Sequence, residues 1–428
     1  QSATFLFSHA VEEELVLCYR HGEEAYRSYS SYHLVVKELQ GMTSVDPAGQ
    51  SDLAIVDQLK AVEFYGIGIA SDSNDVARWV RGDSCDSDVV PLMTSLHTNL
   101  ESIAFETDAS EADRYMQISS SSSRLGSALR AASSSENSVL VGSDHRASFA
   151  FAEDSSEQSD QYFYLCYKFG DEPFKLYRNI QMRVFDLYDA ASYSQEDGSD
   201  SKYLIASGAM SPIQFTGYGV SVGDRAFWVR SDYPCRPMNA LPITSLHLYE
   251  ENVVSVDSLL RTSVNFVNGY EGAVSLCYQF GSEVPKRYDF PYHVARVSAV
   301  HNVDGTNVFV ANVASEVTFY GYHINSDTQA DAFAWTQSED CSSSFLSMVD
   351  LSTNETVTRV SVGADMKAHV IFNEGGEWSL CYFFGRETIV HYSDVRISIR
   401  SISEIIPWWT REESAMGYSM ERVAVKEY

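Results

Sequence analysis

What the sequence lacks narrows the field first. Basic residues are scarce, with 30 Lys and Arg against 59 Asp and Glu in 428 residues and a formal charge of −29. Phosphate binding needs a basic footprint, so no nucleic-acid partner is expected. No apolar run approaches the ~18–20 residues of a membrane-crossing helix, so no transmembrane segment is expected. The opening Gln1-Ser2-Ala3-Thr4 lacks the basic-then-apolar pattern of a signal peptide. The eleven histidines form no His-x-x-x-His pair of the kind that holds zinc.

What is present is repetition. Leu17-Cys18-Tyr19-Arg20-His21-Gly22 returns as Leu165-Cys166-Tyr167-Lys168-Phe169-Gly170, Leu276-Cys277-Tyr278-Gln279-Phe280-Gly281 and Leu380-Cys381-Tyr382-Phe383-Phe384-Gly385. Glu24, Glu172, Glu283 and Glu387 keep step with it, as do Tyr29, Tyr177, Tyr288 and Tyr392. With a period of two, Leu, Tyr and the Phe or His share one face of a strand, the expected core face. The cysteine then faces outward, Gly begins a turn, and the Glu is expected in solvent at its tip.

A second phrase precedes the later copies of the first. It reads Phe64-Tyr65-Gly66-Ile67-Gly68, Phe215-Thr216-Gly217-Tyr218-Gly219 and Phe319-Tyr320-Gly321-Tyr322-His323. An acid follows in each, four residues ahead of a tryptophan: Asp75 and Trp79, Asp224 and Trp228, Asp331 and Trp335. The tryptophans are expected core anchors on a second strand. The glycines lack the third glycine and helix of a nucleotide fingerprint, and suit a bulge where backbones approach closely.

The phrase cysteines stand 148, 111 and 104 residues apart, a spacing suited to small independent domains. The expected division is a partial domain at 1–38, whole domains at 39–187, 188–299 and 300–400, and the start of another at 401–428. The first whole domain carries a Ser-rich insertion at Ser119–Ser138, and the second opens on a polar insertion at 192–200. Asp304-Gly305 is expected to make a hairpin turn. The segments after Tyr177, Tyr288 and Tyr392 read as strands running into the next domain without a flexible spacer, which predicts a stiff rod. Both ends fall inside a unit, so a fragment of a longer array is expected.

Seven cysteines fit this plan as one pair per whole unit, Cys85–Cys166, Cys235–Cys277 and Cys341–Cys381, with Cys18 unpaired. Such pairing implies an oxidising, extracellular or cell-surface setting. The alternative is buried free thiols in a cytosolic protein.

About seven short strands per ~100 residues, a tryptophan near the middle and one disulfide resemble the immunoglobulin-like β-sandwich. Antibody domains place the first cysteine before the tryptophan and bridge the two sheets. Here the tryptophan comes first and the phrase cysteine faces outward, which predicts a bridge between neighbouring strands of one sheet, on its outer side. The Leu-Cys-Tyr phrase also resembles those of very large cell-surface proteins of unicellular eukaryotes, including flagellar hairs of the mastigoneme type. That resemblance implies a structural role and no functional residues.

No catalytic site is expected. Gly82-Asp83-Ser84-Cys85 looks like a serine-protease nucleophile segment, but the serine has no counterpart in the other units. No cofactor is expected either. Structural calcium is the one metal candidate, through Asp75, Asp224 and Asp331 or acid-rich loops such as residues 153–160. Asn354-Glu355-Thr356 is a sequon for N-glycosylation. The expected function is a secreted structural rod that self-associates or joins other filament subunits. The alternative is an adhesin or carbohydrate-binding module presenting loops to a ligand.

Overall fold

The computed structural model describes residues 7, 11–69, 74–86, 89–93, 137–152, 162–192, 200–246, 248–267, 270–324, 331–385, 388–407 and 423–427. Nearly all of the Ser119–Ser138 insertion, most of 192–200, the loop 153–160 and all but the last residue of a strand expected around residues 4–7 lie outside them. The chain is all-β, a tandem of immunoglobulin-like sandwiches with one disulfide in each whole unit. Among the described residues no helix is long and apolar enough to cross a membrane.

Each sandwich has the same two layers. In the first unit Glu38–Ser44, Lys60–Ile67, Arg146–Phe151 and Leu92–Met93 make one sheet, in that order. The other runs Leu53–Ile55, Lys175–Ser192, Tyr162–Lys168, Val76–Val80 and Val139–Leu140, with the outer pair Leu53–Ile55 and Lys175–Ser192 parallel. The second unit repeats this order with Ser211–Tyr218, Arg261–Phe266 and Ile243–Thr244 facing Leu204–Ala206, Lys286–His301, Gly272–Gln279, Arg225–Arg230 and Val253–Ser255. The third repeats it again with Ala314–Tyr322, Lys367–Phe372 and Met348–Asp350 facing Val308–Val310, Thr388–Arg400, Gly376–Phe384, Ala332–Thr336 and Val360–Ser361. Alternating apolar residues put Trp79, Phe149 and Leu165, and their counterparts in the other units, into three separate cores.

Two strands belong to two units at once. Lys175–Ser192 pairs with Leu53–Ile55 up to Phe185, then with Ser211–Tyr218 from Asp186 onward. Lys286–His301 changes partner in the same way between Ala295 and Arg296. The expected boundaries at 187 and 299 therefore fall within continuous strands.

The glycines of the second phrase have a steric cause. A Cβ on Gly66, Gly217 or Gly321 would lie 2.2, 2.3 or 2.1 Å from the carbonyl oxygen of Glu38, Asp186 or Arg296. The facing strand slips register at that point, a bulge that draws the two backbones together.

One turn differs from expectation. Asn302 and Thr306 close a turn around Gly305, whose φ is +74°. Its flanking strands belong to opposite sheets, since Lys286–His301 pairs with Ala314–Tyr322 while Val308–Val310 pairs with Thr388–Arg400. The turn is a crossover between layers and not a hairpin.

At the two ends, Val11–Tyr19 pairs with Arg27–Val36, and Ile402–Pro407 pairs with Val423–Glu427.

Candidate functional site

Each whole unit locks its Leu-Cys-Tyr strand with the same side chains. Trp79, Trp228 and Trp335 are fully buried and sit in register opposite Leu165, Leu276 and Leu380. Among the described residues their indole N–H groups have no hydrogen-bond partner, so they act through packing alone.

The aspartates four residues earlier are also buried, at 2%, 1% and 4% exposure for Asp75, Asp224 and Asp331. A buried carboxylate needs donors for both oxygens. Tyr167, Tyr278 and Tyr382 donate their hydroxyls to Oδ2 of these residues at 2.8, 2.9 and 2.9 Å. The N–H groups of Gly170, Gly281 and Gly385 donate to Oδ1 at 2.8, 2.8 and 2.9 Å. Those glycines have φ of +54°, +52° and +60°, the left-handed conformation that turns the N–H back toward the acid. Burial first, and the neighbouring carboxylate second, push all three tyrosine hydroxyls well above the ordinary tyrosine range. The three aspartates, offered by the sequence as calcium candidates, are the centres of a repeated latch. Among the described residues no group of three or more His, Cys, Asp or Glu is placed to hold a metal ion.

The disulfides join Cys85 to Cys166, Cys235 to Cys277 and Cys341 to Cys381, with Cα atoms 5.7, 5.6 and 5.8 Å apart. Each links the loop after the tryptophan strand to the strand beside it in one sheet. Each lies in a small apolar cluster outside the main core, such as Val80, Cys85 and Cys166 under Phe174 and Leu176. The outward face of the phrase is therefore covered, and Cys166, Cys277 and Cys381 are fully buried. Cys18 is exposed and unbridged. Ser84 Oγ accepts the Asp86 N–H at 3.2 Å in an exposed turn.

Glu283 departs from its expected place. Glu24 and Glu172 are exposed at their turns, and Glu387 lies outside the described residues. Glu283 is 6% exposed and reaches into the first unit. Its Oε2 lies 3.0 Å from Lys60 Nζ, and its Oε1 accepts the Gln50 N–H at 2.5 Å. Lys60 Nζ also donates to the Gln50 carbonyl at 2.7 Å, and Gln58 donates to the Val284 carbonyl at 3.2 Å. Lys60 was not singled out from sequence. The signal was a lysine four residues before Phe64, where the other units carry Ser211 and Ser315.

At the junction of the second and third units His293 and His323 stack 4.2 Å apart, 7° from parallel, and His293 Nδ1 lies 3.0 Å from the Tyr322 hydroxyl. Nearby, Arg230, Ser231, Asp232, Tyr270, Glu271 and Ala273 line an open groove of about 630 Å³.

No family model matches the chain, and no curated protein matches it. Among solved structures it is similar to a marsupial T cell receptor, at 9% identity over 82% of this chain and 98% of that one, TM-score 0.22. It is also similar to the N-terminal four Ig domains of Dscam1, at 7% identity over 86% and 80%, TM-score 0.17. A third is the Bacteroides ovatus protein SGBP-B in complex with a mixed-linkage heptasaccharide, at 10% identity over 88% and 76%, TM-score 0.18.

Proposed function

We propose that the chain is a non-enzymatic extracellular structural protein whose sandwiches abut into a stiff rod within a filament or surface coat. The observation that carries this reading is the pair of shared strands: Lys175–Ser192 and Lys286–His301 each finish one unit and begin the next. A hinge there would break ladder hydrogen bonds on both sides. The buried Lys60–Glu283 contact adds a second tie across the first junction.

Three disulfides support an oxidising setting outside the cell. Asn354 is exposed in the turn between Met348–Asp350 and Glu355–Val357, a setting that suits glycosylation of its sequon. An adhesin reading would place its ligand in the groove beside Tyr270.

Small-angle scattering of the purified chain tests the rod. A compact chain of 428 residues has a radius of gyration of roughly 22 Å. End-to-end sandwiches joined by extended strands should give about 40 Å or more. A value near the compact figure sinks the rod, and dispersed monomers at all concentrations in electron micrographs sink the filament.

A further inference from the structure

The geometry points to a strand position beside Val11–Tyr19, unfilled among the described residues, that suits a strand carrying Asp-x-x-x-Trp and a following cysteine. The inference stands on the internal repeat of the unit and not on the shape of the array.

The hairpin already has the register of a whole unit. Leu17 faces Tyr29, Cys18 faces Ser28 and Tyr19 faces Arg27, just as Leu165 faces Tyr177, Cys166 faces Leu176 and Tyr167 faces Lys175. The register slip that precedes Leu165 also precedes Leu17. Gly22 has a φ of +54°, the value at Gly170, so its N–H is turned in the same sense.

What differs is the cover. Leu165, Tyr167, Leu276, Tyr278, Leu380 and Tyr382 are all fully buried, whereas Leu17 and Tyr19 are 41% and 47% exposed. Among the described residues Val11–Tyr19 pairs only with Arg27–Val36. Its other edge corresponds to the one taken in the three whole units by Val76–Val80, Arg225–Arg230 and Ala332–Thr336. Those three strands are engaged where they stand, so the occupant is a further strand of the same chemistry.

The internal examples specify how it sits. Its tryptophan would face Leu17, as Trp228 faces Leu276, and the residue before the tryptophan would face Cys18. Its aspartate would accept from the Tyr19 hydroxyl and the Gly22 N–H, and its cysteine would bond Cys18 Sγ. Oxidised glutathione balances that bond: two thiols each lose a proton and an electron, one S–S bond forms, and two molecules of reduced glutathione leave.

The test uses the full chain and a synthetic peptide with the sequence of residues 223–237, which holds Asp224, Trp228 and Cys235. Both are equilibrated in a glutathione redox buffer and read by mass spectrometry and amide hydrogen exchange. The expected result is a peptide disulfide at Cys18 with slowed exchange across Val11–Tyr19, and no adduct in the Cys18→Ser chain. Asp224→Ala in the peptide should lower capture about tenfold, by loss of a charged hydrogen bond. Equal capture of both peptides, a glutathione adduct alone, or a Cys18–Cys18 dimer of two chains overturns the inference.

Discussion

Glu283, on the turn that closes one sandwich, forms its ion pair with Lys60 of the sandwich before it, Oε2 to Nζ 3.0 Å, with both side chains 8% exposed. Removing one member leaves the other as a buried, unmatched charge, which costs about 3–5 kcal/mol. Glu283→Ala and Lys60→Met should therefore loosen the first junction more than the double variant does. Urea titration followed by a double-mutant cycle measures this, with proteolysis near Gln50 as an independent readout. Additive single effects would show that the pair is not coupled.

The aspartate latch makes a graded prediction. Asp224→Ala leaves the buried Tyr278 hydroxyl and the Gly281 N–H without their acceptor and should cost about 3 kcal/mol. Tyr278→Phe should cost less, about 1 kcal/mol, because Asp224 Oδ2 also accepts the Ser221 N–H at 2.8 Å. Denaturant midpoints of the two variants, at unchanged slope, give the comparison.

Alkaline pH should destabilise the chain through the latch tyrosines. Burial and the neighbouring carboxylate hold the hydroxyl pKa values of Tyr167, Tyr278 and Tyr382 in the folded state well above the ordinary tyrosine value of about 10. Their contribution is fully present below about pH 10 and is lost as pH rises, because the unfolded chain releases those protons first. The last part of the phenolate absorbance, from these buried hydroxyls, should rise together with loss of the β signal in circular dichroism. Full phenolate formation by all 26 tyrosines while the sheets persist would contradict the latch.

Each disulfide closes a long loop, with sequence separations of 81, 42 and 40 residues. The chain-entropy estimate is about 4 kcal/mol for the two shorter loops and slightly more for the first. Paired Cys→Ser replacement in each unit, read by thermal unfolding, should lower that unit's transition and leave the others. Cys18→Ser should change stability little, since Cys18 is exposed and unbridged.

Local periodicity made the all-β units legible. Leu, Cys and Tyr alternate over so few residues that face and burial follow from the pleat, and the outward cysteine placed its bridge on one sheet's outer side. The clash behind Gly66, Gly217 and Gly321 left its mark as a repeated glycine. Contacts between units left a fainter mark: Glu283 looks like Glu172 in sequence, and only Lys60, a lone lysine where the other units carry Ser211 and Ser315, decides that one is buried. Asp224 likewise reads as a calcium candidate until Tyr278, 54 residues on, is seen beside it. The turn at Asp304-Gly305 was recognisable, but which layer each flank joined depended on distant partners.

The strand Lys175–Ser192 turns a spacing question into a geometric one. Adding or deleting a single residue near Phe185 would swap inward and outward side chains across everything beyond it, presenting Leu187 and Ala190 to water. Length changes are therefore tolerable in the loops or by whole sandwiches, and any lineage that lengthened such a chain would do so in modules, with the seam kept in phase.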